Sequence, residues 1–286
     1  MLAEVRSLVR QVERHPIGVR NRFGSYGRVA WWQLQSRLAS GPIARQWLGG
    51  SQLIVRSGMH GATGNLYFGL FEFADMAFAL HLLRPDDLFV DVGANVGVYT
   101  VLASKVCGAR TMAFEPAVET LPALYANIEA NAIGALVEVH ECALGEAATE
   151  VRFTKGLDCV NHIMSGDDAA SQVVLLRRLD DMLVGEKPVL IKIDVEGFEH
   201  GVIAGAAATL AHPRLLAVEI ETVEQATLSV LLAAGFAEVF YDPFERALHD
   251  APIGNQAGNR LFVRNREAIG DRLRAAPHRN IHGVTL

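Results

Sequence analysis

Residues 88–100, LFVDVGANVGVYT, constrain this chain more than any other stretch. An apolar run ends at Asp91, glycines follow at 93 and 97, and a helical pattern then begins. The order is strand, tight turn, helix. Glycine permits backbone angles that other residues resist, and it lets a ligand approach the main chain. In an open α/β sheet the carboxyl end of such a strand is where a nucleotide-like cofactor lies. The spacing D-x-G-x-x-x-G is not the G-x-G-x-x-G of a dinucleotide fold, and no Lys-Ser/Thr pair follows to make a P-loop. A merely structural turn or an unrelated nucleotide site stays open on these residues alone.

The surrounding pattern carries the same rhythm. Strands are expected at 88–92, 110–115, 136–142, 188–194 and 215–220, alternating with helices at 96–106, 117–131, 198–210 and 222–234. Near-continuous apolar strands joined by helices imply a parallel sheet covered on both faces. Residues 237–241 and 260–264 read as two further strands around a 242–259 loop, and 150–153 and 173–176 as extended segments around a long 156–171 loop. Upstream, 2–14 has the period of an amphipathic helix, 25–48 of one or two helices, 52–56 and 65–69 of short extended segments, and 71–83 of a helix stopped before Pro85. The three tryptophans, at 31, 32 and 47, read as core packing.

Three segments, Val90 to Thr100, Phe114-Glu115-Pro116 and Ile191 to Gly197, resemble in order and spacing the FkbM family of S-adenosylmethionine (SAM)-dependent methyltransferases. The similarity runs from about Gly69 to Arg264. It implies an α/β class I, Rossmann-like fold with a seven-stranded, mostly parallel sheet and a C-terminal antiparallel strand. The expected organisation is a leader or cap over 1–68, a SAM-binding domain over 69–265 and a tail over 266–286.

The resemblance also gives the site residues roles. Gly93 and Gly97 form the turn that receives the methionine end of SAM. Asp91 can meet its ammonium group, with a turn carboxylate as the plain alternative. Asn95 can donate or accept in the turn or cap the helix. Glu115, 24 residues after Asp91 at a strand end, can accept from both ribose hydroxyls. Ala143 and Leu144 lie in a segment that resembles the family's adenine-facing turn, or serve as core.

For the chemistry, Asp194 and Glu196 match the third segment, and Asp194 is the leading candidate for orienting acceptor or cofactor. His200 adds a side chain suited to proton transfer near neutral pH, or a surface histidine. Glu199, Glu219 and Glu221 are nearby acids, His162 and Asn161 are second-tier acceptor contacts, and Asn259 pins a loop. The carboxylates permit a divalent metal, but no compact motif requires one and no metal ligand is assigned. The implied activity is methyl transfer from SAM to an acceptor hydroxyl on a saccharide or small metabolite. Another acceptor atom, or a nonenzymatic SAM-binding assembly module, is the alternative.

Charge bears on partners. Residues 1–60 hold nine arginines against Glu4 and Glu13, whereas the remainder carries 17 basic and 30 acidic residues. An acidic body without an aromatic and basic track argues against nucleic acid. The basic segment could instead meet a membrane surface or a glycolipid, or an acidic face of this protein. Self-association as a homo-oligomer stays open. Cys107, Cys142 and Cys159 form no disulfide or metal spacing, residues 1–19 lack a signal-like apolar core, and Leu66 to Leu83 is too interrupted to span a bilayer. The expectation is a cytoplasmic protein, with peripheral membrane contact through its basic segment.

Overall fold

The computed structural model describes residues 2–154, 171–253 and 258–286. Asn161, His162 and Cys159 lie outside them. In chain order, α1 (Leu2–Arg14), α2 (Pro16–Arg20) and α3 (Arg22–Leu38) precede a hairpin of β1 (Ile43–Gln46) and β2 (Gln52–Val55), then α4 (His60–Phe68) and α5 (Phe73–Leu82). The alternating part follows: β3 (Leu88–Val92), α6 (Val98–Val101) with a π-helical last turn over 102–106, β4 (Arg110–Phe114), α7 (Leu121–Ala130), β5 (Val137–His140) and β6 (Ala143–Leu144). Next come β7 (Thr149–Thr154), β8 (Ser171–Arg177), α8 (Leu179–Met182), β9 (Leu190–Ile193), α9 (Glu199–Ala204), α10 (Ala207–Ala211), β10 (Ala217–Ile220) and α11 (Gln225–Ala233). The chain closes with β11 (Ala237–Asp242), β12 (Ala247–His249), β13 (Arg260–Val263), α12 (Arg266–Ala275), β14 (Asn280–Ile281) and β15 (Val284–Thr285).

The main sheet has eight strands in the order β12-β11-β13-β10-β9-β3-β4-β5, one more than the seven expected. Strands β5, β4, β3, β9 and β10 are mutually parallel, and β13 inserts antiparallel between β10 and β11. The extra strand, β12, sits inside the segment expected as a loop: three residues pair with Phe240, Tyr241 and Asp242 and extend the sheet edge. A separate three-stranded sheet, β6-β8-β7, branches off after β5.

Register decides what each face buries. Val90, Ile191, Val218 and Phe262 point to one side, with Met112 and helix residues Val202, Leu210 and Leu231. Phe89, Leu190, Ala217 and Val263 point to the other, under Phe78, Leu82, Leu273 and Ile281. Burial of aliphatic side chains on both faces, at roughly 25 cal/mol per Å² of apolar area, makes the central strands apolar along their length. The residues after 265 belong to this packing: Arg272 pairs with buried Asp87, and Ile269, Leu273 and Leu286 enter the core.

Other local expectations change. Residues 65–69 are not extended, because 60–68 form α4. The expected 25–48 helical stretch ends at Leu38, and 43–46 become a strand. The 198–210 helix breaks where Gly205 passes so close to Gly145 that a Cβ there would lie 2.0 Å from its carbonyl oxygen. The hairpin's β2 edge is closed by α7: Asn131 and Asn127 accept from Gln52 and Ile54 N–H at 2.7 Å each, and Asn127 also donates to Val96 O at 2.8 Å. These bonds satisfy main-chain groups that would otherwise template another strand. Trp32 is buried and Trp47 donates to Gly69 O, but Trp31 is exposed.

Candidate functional site: a cavity at the β3 turn

The turn after β3 is built by close approach. Gly93 and Ala94 N–H both donate to Phe114 O at 3.0 Å, which folds the chain over the end of β4. Gly93 has φ +80°, and a Cβ there would stand 1.9 Å from Asp194 O, so only glycine lets the exit of β9 pass. Gly97, at φ +84°, starts α6 against Leu124. Asn95 takes a left-handed conformation at φ +50°, and its side chain accepts from Val96 N–H.

That conformation aims Asn95 N–H at Glu115, which accepts it on one oxygen at 2.8 Å and Ala117 N–H on the other at 2.8 Å. Each oxygen keeps a free lone pair toward the cavity. Burial pushes the Glu115 carboxyl up to about 7, against the pull of the two N–H groups. Asp91 is buried and accepts from Thr100 Oγ1 at 2.7 Å; its pKa is raised by burial, with Lys192 opposing.

Asp91, Gly93, Asn95, Glu115, Ala143 and Leu144 line one cavity of about 370 Å³. Gly97 is the helix-starting residue just behind it. The side chains fit SAM: an acidic pair for ammonium and ribose and an apolar wall at β6, while the N–H groups of residues 93–97 are engaged within the protein.

Asp194 and Glu196 open onto the same cavity, joined by Glu221 from the end of β10. β9 ends at Ile193, and beyond it the chain turns, with Glu196 at φ +51°. Carboxylate oxygens of Asp194, Glu196 and Glu221 lie within 4.8 Å of one another. Burial first, then Asp194 and Glu196, push Glu221 up to about 7. Such a trio can share a proton or hold a divalent cation through oxygen ligands.

His200 is placed elsewhere. It is exposed on α9, its Nδ1 3.1 Å from Thr227 Oγ1, and it does not line the cavity. Glu199 is buried and accepts from Gly197 N–H. Asn259 donates its main-chain N–H to Asp75 Oδ2 at 3.0 Å, anchoring the strand entry.

Four residues escaped the sequence reading. Lys192 is buried in β9, and its ammonium donates to Asp194 Oδ2 at 2.7 Å and sits 4.6 Å from the Tyr99 ring centre. Burial alone would lower its pKa, but Asp194, Glu72 and Asp91 turn the net shift upward, so it stays charged. Tyr99 donates to Glu72 at 2.6 Å. Asp75 is pushed up to about 7 by burial and by Glu72. Across the sheet, register sets Asp91, Lys192 and Glu219 in one row. Glu219 is fully buried with no partner on either oxygen among the described residues, and burial followed by Asp75 raises it well above the usual range. The available signal was Lys192 itself, a charge in the otherwise apolar strand LIKI.

With this geometry in hand, similarity to known proteins becomes informative. The family described as "Methyltransferase FkbM domain" matches residues 91–238. The 31-O-demethyl-FK506 methyltransferase FkbM of Streptomyces tacrolimicus is 30% identical over 213 residues, 58% of this chain and 80% of that protein. The hexuronic acid methyltransferase AglP of Haloferax volcanii is 28% identical over 140 residues, 48% of this chain and 57% of the relative. A SAM-dependent methyltransferase of Agrobacterium tumefaciens superposes with a TM-score of 0.42 at 8% identity, over 78% of this chain and 69% of that one.

Proposed function

This chain belongs to the FkbM methyltransferase family, with SAM as its methyl donor, and we propose that it methylates a hydroxyl oxygen on a saccharide or other small metabolite. The observation that carries the acceptor chemistry is the Asp194–Glu196–Glu221 cluster beside buried Lys192, facing the cavity that Glu115 and the β3 turn serve. One relative is named for a 31-O position and another for a hexuronic acid, which agrees with an oxygen-rich acceptor.

SAM supplies a methyl group made electrophilic by its sulfonium. The protein does the rest. Glu115, ionised, accepts from the ribose hydroxyls, and Asp91 faces the ammonium. Lys192 holds one oxygen of Asp194 and Glu221 lies in hydrogen-bond contact with the same carboxylate; on this proposal the acceptor hydroxyl takes the place of Glu221 at Asp194, which accepts its hydrogen. That contact orients the oxygen and draws off its proton as the new bond forms. Glu196 and Glu221 stand beside Asp194 in the same cluster. The same three carboxylates are the residues that would hold a divalent cation.

The test is turnover with labelled SAM across saccharides and hydroxylated metabolites, followed by locating the methyl. Asp194→Asn should cut kcat by about 10²–10⁴ while SAM affinity holds. Normal turnover would remove Asp194 from the chemistry.

A peripheral membrane contact for the basic N-terminal segment is part of the same proposal. No described helix is long and apolar enough to cross a bilayer. On α3 the usual pattern is inverted: Arg28 turns inward to Tyr67 O and Ser25, while Phe23 (94% exposed), Trp31, Leu34 and Leu38 face out. Exposed Arg22 and Arg37 lie near its two ends. Aromatic and aliphatic side chains flanked by arginine suit an anionic lipid surface.

A further inference from the structure

A second cavity adjoins the first. It is a groove of about 920 Å³ between the α1–α2 corner, the segment entering α5 and the turn after β11. Phe71 lines both cavities. Its ring packs on Gly64, where a Cβ would fall 2.3 Å from it, which fixes the position of this shared wall residue. A volume of 370 Å³ is near the low end for ligand pockets, roughly 300–1,000 Å³, enough for a donor but not for a donor with a sugar beside it. The acceptor therefore needs adjoining space.

The groove is preformed. His15 accepts from Ile17 N–H on Nδ1 and reaches Leu70 O from Nε2 at 2.7 Å. Burial lowers its pKa to about 4, so it is a neutral strut with its proton on Nε2. A Cβ on Gly18 would lie 2.2 Å from Val12 O, which locks the α1–α2 corner. The floor is aromatic: His15 stacks on Phe68 at 4.1 Å, and Phe73 lies 5.3 Å from Phe244.

The rim is cationic. Arg10 and Arg14, one turn apart on α1, and Arg20 on α2 all line the groove and are exposed. The Arg20 guanidinium lies 3.8 Å over the Phe244 ring, and none of the three forms an ion pair among the described residues. Two acids also line the space: Glu13, which is exposed, and Asp242, whose Oδ1 is engaged by Phe244 and Glu245 N–H. Guanidinium groups outside any ion pair among the described residues, one of them stacked on an aromatic ring and reaching Pro16 O, can recognise an oxyanion attached to an apolar body.

We propose that this groove binds the methyl acceptor through an oxyanion, a phosphate or carboxylate held by Arg10, Arg14 and Arg20, and passes its hydroxyl end beyond Phe71 to the SAM cavity. The inference rests on the methyltransferase reading and narrows its substrate class to anionic acceptors. The −13 charge of the remaining chain makes such a ligand depend on this rim.

The test uses the full chain and three probes: glucose 1-phosphate, glucuronate and glucose. Binding is measured at low and high salt, with SAM affinity measured in the same samples. At least one anionic probe should bind about tenfold or more tightly than glucose, and the preferred one distinguishes phosphate from carboxylate. The variant Arg10→Gln/Arg14→Gln/Arg20→Gln should lose that preference with SAM affinity unchanged. The control Arg6→Gln/Arg37→Gln, which removes exposed charge outside the groove, should keep it within about twofold. Equal binding of all three probes, full retention by the groove variant, or an equal loss in the control overturns the proposal. Failure of wild type to bind SAM would defeat the methyltransferase reading instead, whatever the probes do.

Discussion

The sharpest consequence of the geometry is a pH dependence of donor binding set by Glu115. Each of its oxygens already accepts one backbone N–H, so the two remaining lone pairs match two ribose hydroxyls only when the group is ionised. In the free protein burial raises the carboxyl to about 7. The sign follows: the ligand prefers the ionised form, so binding below pH 7 must expel a proton, and affinity falls as pH falls. Above about pH 7.5 the Kd should be flat. One unit below the free pKa it should be about tenfold weaker, and two units below about a hundredfold. Titration calorimetry from pH 5.5 to 8, in two buffers of different ionisation enthalpy, reads both the slope and the released proton. Glu221, also at about 7 beside the cavity, could add to the slope. Glu115→Gln separates the two: it should flatten the profile and cost about 1.5–3 kcal/mol of SAM affinity at pH 8, the range for hydrogen bonds to a charged group. A wild-type Kd that does not move between pH 5.5 and 8, or a glutamine variant that binds normally, would refute the ribose assignment.

Lys192→Met should destabilise the protein by about 3–5 kcal/mol at neutral pH in a denaturant melt, because it leaves Asp91 and Asp194 without their cation. Glu219→Gln should stay within about 1 kcal/mol of wild type, since a neutral group replaces a protonated acid of the same shape; equal losses in the two would refute that contrast. Gly93→Ala should abolish SAM binding, as its Cβ would meet Asp194 O and φ +80° is strained for alanine; calorimetry with normal affinity would count against the packed turn. Phe23→Ser/Trp31→Ser should lower partitioning onto phosphatidylserine vesicles by about tenfold or more without moving SAM affinity, and unchanged partitioning would remove α3 from any membrane contact.

What could be read from the residues was whatever local physics fixes. Two glycines forced to positive φ, an apolar strand ending in Asp91 and an acid at the next strand end point to one cavity before any contact is known. The C-terminal strands were legible too, but β12 was not, because Ala247-Leu248-His249 has no period to read and pairs only because β11 offers an open edge. Helix α4 was hidden by its own composition: HGATGNLYF has two glycines and little propensity. Tertiary packing overrides that, with Phe71 against Gly64 and Asn65 accepting from Phe71 N–H. For the site, a histidine one turn beyond Glu196 looked chemically apt, yet the helix aims it at Thr227. Glu72, Asp75 and Tyr99 could not be grouped with Lys192, because their meeting depends on how α5 and α6 cross the sheet.

The buried row gives a physical reason why the sheet centre carries charge where apolar residues would be more stable. Replacing buried ions by well-packed hydrophobic groups is often neutral or stabilising, so packing alone does not account for Lys192 between Asp91 and Glu219. Its ammonium reaches Asp194 on the acceptor side and, through the field, Asp91 on the donor side. One cation thus bears on both carboxylates that the proposed reaction uses, while Glu219 and Asp75, whose pKa values are driven upward, relieve the surplus of negative charge by holding protons. A lysine in this row therefore pairs with Asp194 at the cavity and, beneath it, pulls against the burial that drives Glu219 upward, so that one cation meets two carboxyl groups on neighbouring strands in opposite settings, one ion-paired and one buried without a partner among the described residues.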